Sequence, residues 1–235
     1  MKRLLAGISA AVLLVLCACG TAEQAEMTPT EAPSPTPMPT EAPLTALPDE
    51  TPVPEPADTE LVRVRDYVPD IWVDLRYAGD NNFTGSAIYD FDDAYLRYGT
   101  VKKLAAVQEK LRAEGLSLLI WDAYRPPYAQ RMLWERWPDP AFVANPDTGG
   151  SKHSNGGTVD ITLCKADGAE LEMPSGFDEF SALADRDYSD VSAEAAANAE
   201  LLERLMTEAG FDGYSAEWWH YSDRDGYETE EIEIK

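Results

Sequence analysis

The sequence predicts an α+β fold over residues 61–235: a single compact domain with a small, mostly antiparallel sheet flanked by helices and a cleft on the sheet. Three observations lead there. Strand-like and helix-like apolar patterns alternate irregularly, without the regular rhythm of a doubly wound α/β fold. The region is one domain's worth of chain, long enough to bury roughly 70% of its unfolded surface without covalent staples. The chain's only two histidines, His153 and His220, each lie in a short segment that also carries a carboxylate.

The elements follow in chain order. Ile71 to Tyr77 alternates apolar and polar residues and reads as a strand, and Asp80 to Gly85 is loop chemistry. Thr100 to Glu114 reads as a helix capped by Thr100, with Leu104, Val107 and Leu111 on one face and Gly115 at the stop. Leu116 to Trp121 is a short apolar strand running into Asp122-Ala123-Tyr124-Arg125-Pro126-Pro127. Pro127 suits the first position of a second helix, which reaches about Trp137 before Pro138 and Pro140 end it. Thr158 to Cys164 is another strand, Ser192 to Ala209 a third helix stopped by Gly210, and an aromatic strand follows around Trp218.

The ends bound the domain. Lys2 and Arg3 precede an apolar run, Leu4 to Leu16, too short to span a hydrocarbon core, which needs about 20 residues. Residues 1–19 therefore read as a secretory signal. Leu16-Cys17-Ala18-Cys19-Gly20 resembles a bacterial lipobox with Cys19 as the lipidated residue; the other reading is an ordinary signal cut near Ala18 or Gly20. Residues 20–60 hold ten of the seventeen prolines, nine acidic residues and no Lys or Arg. Such a segment buries too little apolar area to offset its ordering entropy and reads as an extended tether. Together these features point to an extracytoplasmic, membrane-anchored lipoprotein. The domain carries 17 Lys and Arg against 34 Asp and Glu, which argues against a nucleic-acid partner. Its lone cysteine, Cys164, leaves no internal disulfide and reads as a buried small hydrophobe.

The chemistry concentrates around the histidines. His153 sits in Ser151-Lys152-His153-Ser154-Asn155-Gly156-Gly157-Thr158-Val159-Asp160, and His220 closes Glu217-Trp218-Trp219-His220. Imidazoles and carboxylates are the usual ligands of a catalytic transition metal. In a strand from Thr158, Val159, Ile161 and Leu163 share the apolar face, so Asp160 faces a polar cleft. Gly156 and Gly157 permit the bend that returns His153 over it. Glu217 and His220 are three apart, so only an irregular strand aims both the same way. The constellation is His153, Asp160 and His220 as ligands with Glu217 as base; the plainer reading is two ordinary histidines in a loop and a strand. Arg125, held by the prolines after it, is placed to stabilise an oxyanion, although most loop arginines are merely solvated.

These segments together resemble the zinc D-alanyl-D-alanine dipeptidases of the VanX type over about residues 67–228. The matching pieces are Tyr77-Ala78 through Asn82-Phe83-Thr84-Gly85, Trp121 to Pro126, Ser151 to Asp160, Gly176-Phe177-Asp178, and Glu217 to Tyr221. The resemblance implies one zinc ion on His153, Asp160 and His220, Glu217 as general base, and Arg125 polarising the scissile carbonyl. It also implies that Asp178 and Tyr77 bind the dipeptide's ammonium and that Ser151 lies where its carboxylate is held. Two departures stand out: Thr158 replaces the usual alanine, and only thirteen residues link Trp137 to Ser151. If that link roofs the cleft, the roof is reduced. A tethered enzyme outside the membrane cannot drain a cytoplasmic dipeptide pool, which argues against a direct glycopeptide-resistance role; the partner the resemblance implies is a D-Ala-D-Ala dipeptide or related wall peptide. The alternatives are a D,D-carboxypeptidase trimming peptidoglycan stem peptides and a non-catalytic, metal-stabilised wall-binding lipoprotein.

Overall fold

A computed structural model describes residues 55–140 and 142–229, together with Ile232 and Ile234. The signal segment, Cys19 and most of the proline-rich stretch lie outside the described residues. Residues 57–60 are already part of the domain: Lys102 pairs with Asp58 at 2.6 Å, and Tyr98 N donates to Glu60 O.

The fold is α+β, as expected. Its strands are β1 (Leu61–Arg63), β2 (Trp72–Val73), β3 (Tyr95–Arg97), β4 (Leu116–Asp122), β5 (Thr158–Lys165), β6 (Phe211–Tyr214) and β7 (Glu217–Asp223). Its helices are α1 (Tyr98–Arg112), α2 (Pro127–Arg136) and α3 (Ala193–Glu208). The main sheet runs β2-β4-β5-β7-β6; β2 lies parallel to β4, and the other neighbours are antiparallel. β1 and β3 form a separate antiparallel pair.

Two elements differ from expectation. The strand expected over Ile71 to Tyr77 shrinks to Trp72–Val73, paired with Leu119 and Ile120. The alternation reported burial correctly, since Ile71, Leu75 and Tyr77 are buried, but the chain leaves β4 and turns at Arg76–Ala78, which delivers Tyr77 to the cleft. Thr100 does not cap α1, which starts at Tyr98; it is buried in the first turn and donates to Asp223 Oδ2 at 2.8 Å. Ser192 does cap α3, accepting from Ala195 N. Pro127 opens α2 as expected, where its missing N–H costs nothing.

The core forms where α1 and α3 cover the sheet, with Leu104, Val107, Leu111, Leu202 and Met206 against Leu118, Ile120, Ile161 and Leu163. Every residue of β5 from Thr158 to Cys164 is buried, so its polar face is as enclosed as its apolar one. Cys164 is inert there, its thiol pushed up to about 11 by burial.

Candidate metal centre and cleft

The two central strands place the centre. Asp160 on β5 is the direct cross-strand neighbour of His220 on β7, and its Oδ1 lies 3.0 Å from His220 Nδ1. His153 arrives from a 3-10 turn, Lys152–Asn155, immediately before β5. That turn ends at Gly156, whose φ of +77° is left-handed, and a Cβ there would come within 2.9 Å of Leu61 Cδ1. His153 Nε2 lies 3.3 Å from both Asp160 Oδ1 and His220 Nδ1. The three expected residues thus form one cluster that could hold a metal ion.

The donor set and its spacing fit one zinc ion. Two donors each 2.0–2.1 Å from a tetrahedral zinc lie about 3.3 Å apart, close to the separations here. His153 Nδ1 is 2.9 Å from Ala123 O; donating there fixes the tautomer and leaves Nε2 as the ligand atom. Asp160 is a carboxylate: burial opposes its charge, but His153 and His220 outweigh that and hold it well below the usual range.

Glu217 begins β7, and its Oε2 lies 3.6 Å from His220 Nδ1. Sequence spacing required an irregular strand for this, and the irregularity is present. On β6, Gly213 faces Tyr221 and the next residue, Tyr214, faces Glu217, so one step on β6 spans four on β7. Burial, followed by the charges of Asp160 and Asp178, pushes the Glu217 carboxyl up to about 8; a divalent cation on the triad would draw it down again.

Arg125 is nearly buried and fixed. Its Nε and Nη2 donate to Asp122 Oδ2 at 3.0 and 2.6 Å, and Nη1 donates to Gln130 Oε1 at 2.8 Å. Asp122 has no exposed surface and also accepts from Tyr89 Oη and Ala123 N. Three of the guanidinium's five N–H groups are thereby engaged, and it lines the cleft beside the triad. Its Cζ sits 5.1 Å from the Tyr77 ring centre.

Tyr77 Oη donates to Asp178 Oδ2 at 2.6 Å, joining residues 101 positions apart. Asp178 has φ of 54°, the only described non-glycine residue in the left-handed region, as happens where side-chain direction matters more than backbone comfort. Burial is the main cause that pushes its carboxyl up to about 7. Ser151 caps the His153 turn by accepting from His153 N at 3.2 Å, and it too lines the cleft.

All eight expected residues of the domain, Tyr77, Arg125, Ser151, His153, Asp160, Asp178, Glu217 and His220, line one cleft of about 310 Å³. The link before Ser151 lines it through Pro140, Phe142, Val143, Ala144 and Gly150; Phe142 packs on Phe180 at 4.6 Å, completing an apolar wall with Phe83. Thr158 adds only a contact with Ser222 Oγ at 3.1 Å. Sequence reasoning missed Asp122 and Gln130. Asp122 had a visible signal, a carboxylate three residues before Arg125 at a strand end; Gln130 had none.

Three clustered side chains that could hold a metal ion, an adjacent carboxylate and a fixed cation on one cleft are the arrangement a metal-dependent hydrolase needs. A family model described as D-ala-D-ala dipeptidase, peptidase M15, matches residues 57–233, and the chain belongs to that family. It is 41% identical over 163 residues to the D-alanyl-D-alanine dipeptidase of Escherichia coli (strain K12), a match covering 69% of this chain and 84% of that one. It is 32% identical over 172 residues to the D-alanyl-D-alanine dipeptidase of Enterococcus faecium, covering 65% and 85%. A solved structure of VanYB in complex with D-Alanine-D-Alanine shares 16% identity with a TM-score of 0.39, covering 73% of this chain and 81% of that one; so distant a likeness carries no functional conclusion. The chain is a peptidase of the metallopeptidase class.

Proposed function

We propose that this protein hydrolyses D-alanyl-D-alanine to two D-alanines, with zinc on His153, Asp160 and His220. The supporting observation is the convergence of the triad, Glu217, Arg125 and the Tyr77–Asp178 pair on a single cleft. Zinc, when bound, supplies Lewis-acid chemistry, lowering the pKa of a coordinated water to about 7 and polarising a carbonyl.

The chain's own groups carry the rest. Asp178 and Tyr77 Oη hold the dipeptide's ammonium, and Ser151 lies toward its carboxylate. Glu217 takes a proton from the attacking water as that oxygen bonds to the carbonyl carbon. The uncommitted N–H groups of Arg125 stabilise the oxyanion that develops, in a position the Asp122 and Gln130 bonds have already set. The C–N bond then breaks, and Glu217 returns its proton to the departing amine. The enzyme does this outside the cytoplasm, tethered through lipid on Cys19.

The test separates ligand from base. His220→Ala should lose bound zinc and turnover together. Glu217→Ala should keep its zinc while turnover falls about 10²- to 10⁴-fold. Zinc retained by His220→Ala, or lost by Glu217→Ala, would overturn the assignment of roles.

A further inference from the structure

We infer that Arg186 is a positioning residue for this reaction: its guanidinium fills the bulge in β7 and thereby sets Glu217 and His220 on the same side of the strand. The inference rests on the roles just proposed for those two residues.

The bulge creates a need. Between Gly213–Tyr221 and Tyr214–Glu217, β6 offers no residue opposite Trp218, Trp219 or His220. Carbonyls in such a stretch lose their ladder partners, and buried carbonyls without partners are costly. Arg186, from the segment between two 3-10 turns at Ala182–Ala184 and Tyr188–Asp190, meets that need. Its Nη2 donates to Glu217 O at 3.2 Å, Trp218 O at 3.0 Å and His220 O at 3.1 Å. Nε donates to Tyr214 O at 2.8 Å on the facing strand, and Nη1 to Tyr221 Oη at 3.2 Å.

The surroundings are shaped for a guanidinium. It lies over the Tyr221 ring with Cζ 4.6 Å from the ring centre, and Glu203 Oε2, 3.3 Å from Nη1, balances its charge. At Gly213 the absence of a side chain makes the room, because a Cβ there would stand 2.5 Å from Arg186 Cζ. Only a planar fork with five N–H donors reaches carbonyls on both strands; a lysine ammonium offers three donors on one atom. Arg186 touches the backbone of the base and of one ligand, not the reacting atoms, so it acts through them.

The experiment compares Arg186→Lys, Arg186→Gln and Gly213→Ala in the full chain. It reads zinc affinity by chelator competition, the visible spectrum of the cobalt(II)-substituted protein, melting temperature, and kcat and KM for D-Ala-D-Ala per bound metal. Groups that orient ligands typically matter by about 10- to 100-fold in metal affinity or activity. We expect a loss of that order in kcat or zinc affinity, little change in KM, and a shifted cobalt spectrum. Gly213→Ala should do the same while keeping the arginine. Should Arg186→Gln not fold, the other two variants decide. A wild-type cobalt spectrum, wild-type kcat per metal and wild-type zinc affinity in Arg186→Lys and Gly213→Ala would overturn the inference, even with a lowered melting temperature. In that event, Glu217→Ala and His220→Ala controls behaving as stated above confine the failure to Arg186; controls with wild-type turnover and zinc overturn both readings.

Discussion

Asp178 and Tyr77 meet at 2.6 Å with Arg125 above the tyrosine ring, so a carboxyl that resists ionisation shares the cleft with a fixed guanidinium. With its carboxyl pushed up to about 7 by burial, Asp178 is substantially protonated in mildly acidic solution, and a neutral acid does not attract an ammonium. kcat/KM for D-Ala-D-Ala, which reports the free enzyme, should therefore fall as pH drops below about 7, and Asp178→Asn should lower its value and leave only the dependence that Glu217 contributes. The stability effect has the opposite sign. The unfolded carboxyl ionises near 3.9 whereas the folded one holds its proton to about 7, so Asp178 costs the fold stability as pH rises across that window. Denaturation of wild type and Asp178→Asn between pH 4 and pH 7, at fixed metal content, checks this; parallel curves would remove Asp178 from the buried pair.

At the scale of elements, the centre lies where two paired strands, a turn and the end of a third strand meet. β5 and β7 supply Asp160 and His220 in register, the turn before β5 supplies His153, and the end of β4 supplies Asp122, which anchors Arg125. Removing Asp122 leaves a nearly buried guanidinium without its counter-charge. Breaking such a pair on one side costs about 3–5 kcal/mol. Asp122→Ala should lose stability on that scale in chemical denaturation and lose turnover with it, whereas near-wild-type stability would mean Arg125 is free to find water. The clustering of His153, Asp160 and His220 was legible in the sequence because each lies in a short, chemically dense segment. The Arg186 clamp was not, since it joins residues 31 to 34 positions apart through backbone carbonyls, which carry no residue identity. The strand over Ile71 to Tyr77 misled for a related reason: alternation records which side chains are buried, and pairing depends on the neighbouring strand.

For the whole molecule, the sequence shows a domain with 34 acidic and 17 basic residues behind a proline-rich stretch and a lipobox-like Cys19. Residues 20–56, if extended at about 3.1 Å per residue, would reach on the order of 110 Å. Among the described residues no helix is long and apolar enough to cross one. If lipid on Cys19 is the anchor, Cys19→Ala should move the protein from the membrane fraction to the soluble one. Continued membrane association would mean that the amino-terminal segment itself is retained as the anchor.

Cleavage of D-Ala-D-Ala at a centre built from His153, Asp160 and His220 is checked by following D-alanine release by the purified protein through chelation and stepwise return of zinc. Release should stop on chelation and return in full at one zinc per chain. Release that persists after the metal is gone, or a zinc-loaded protein that leaves the dipeptide intact, would contradict it.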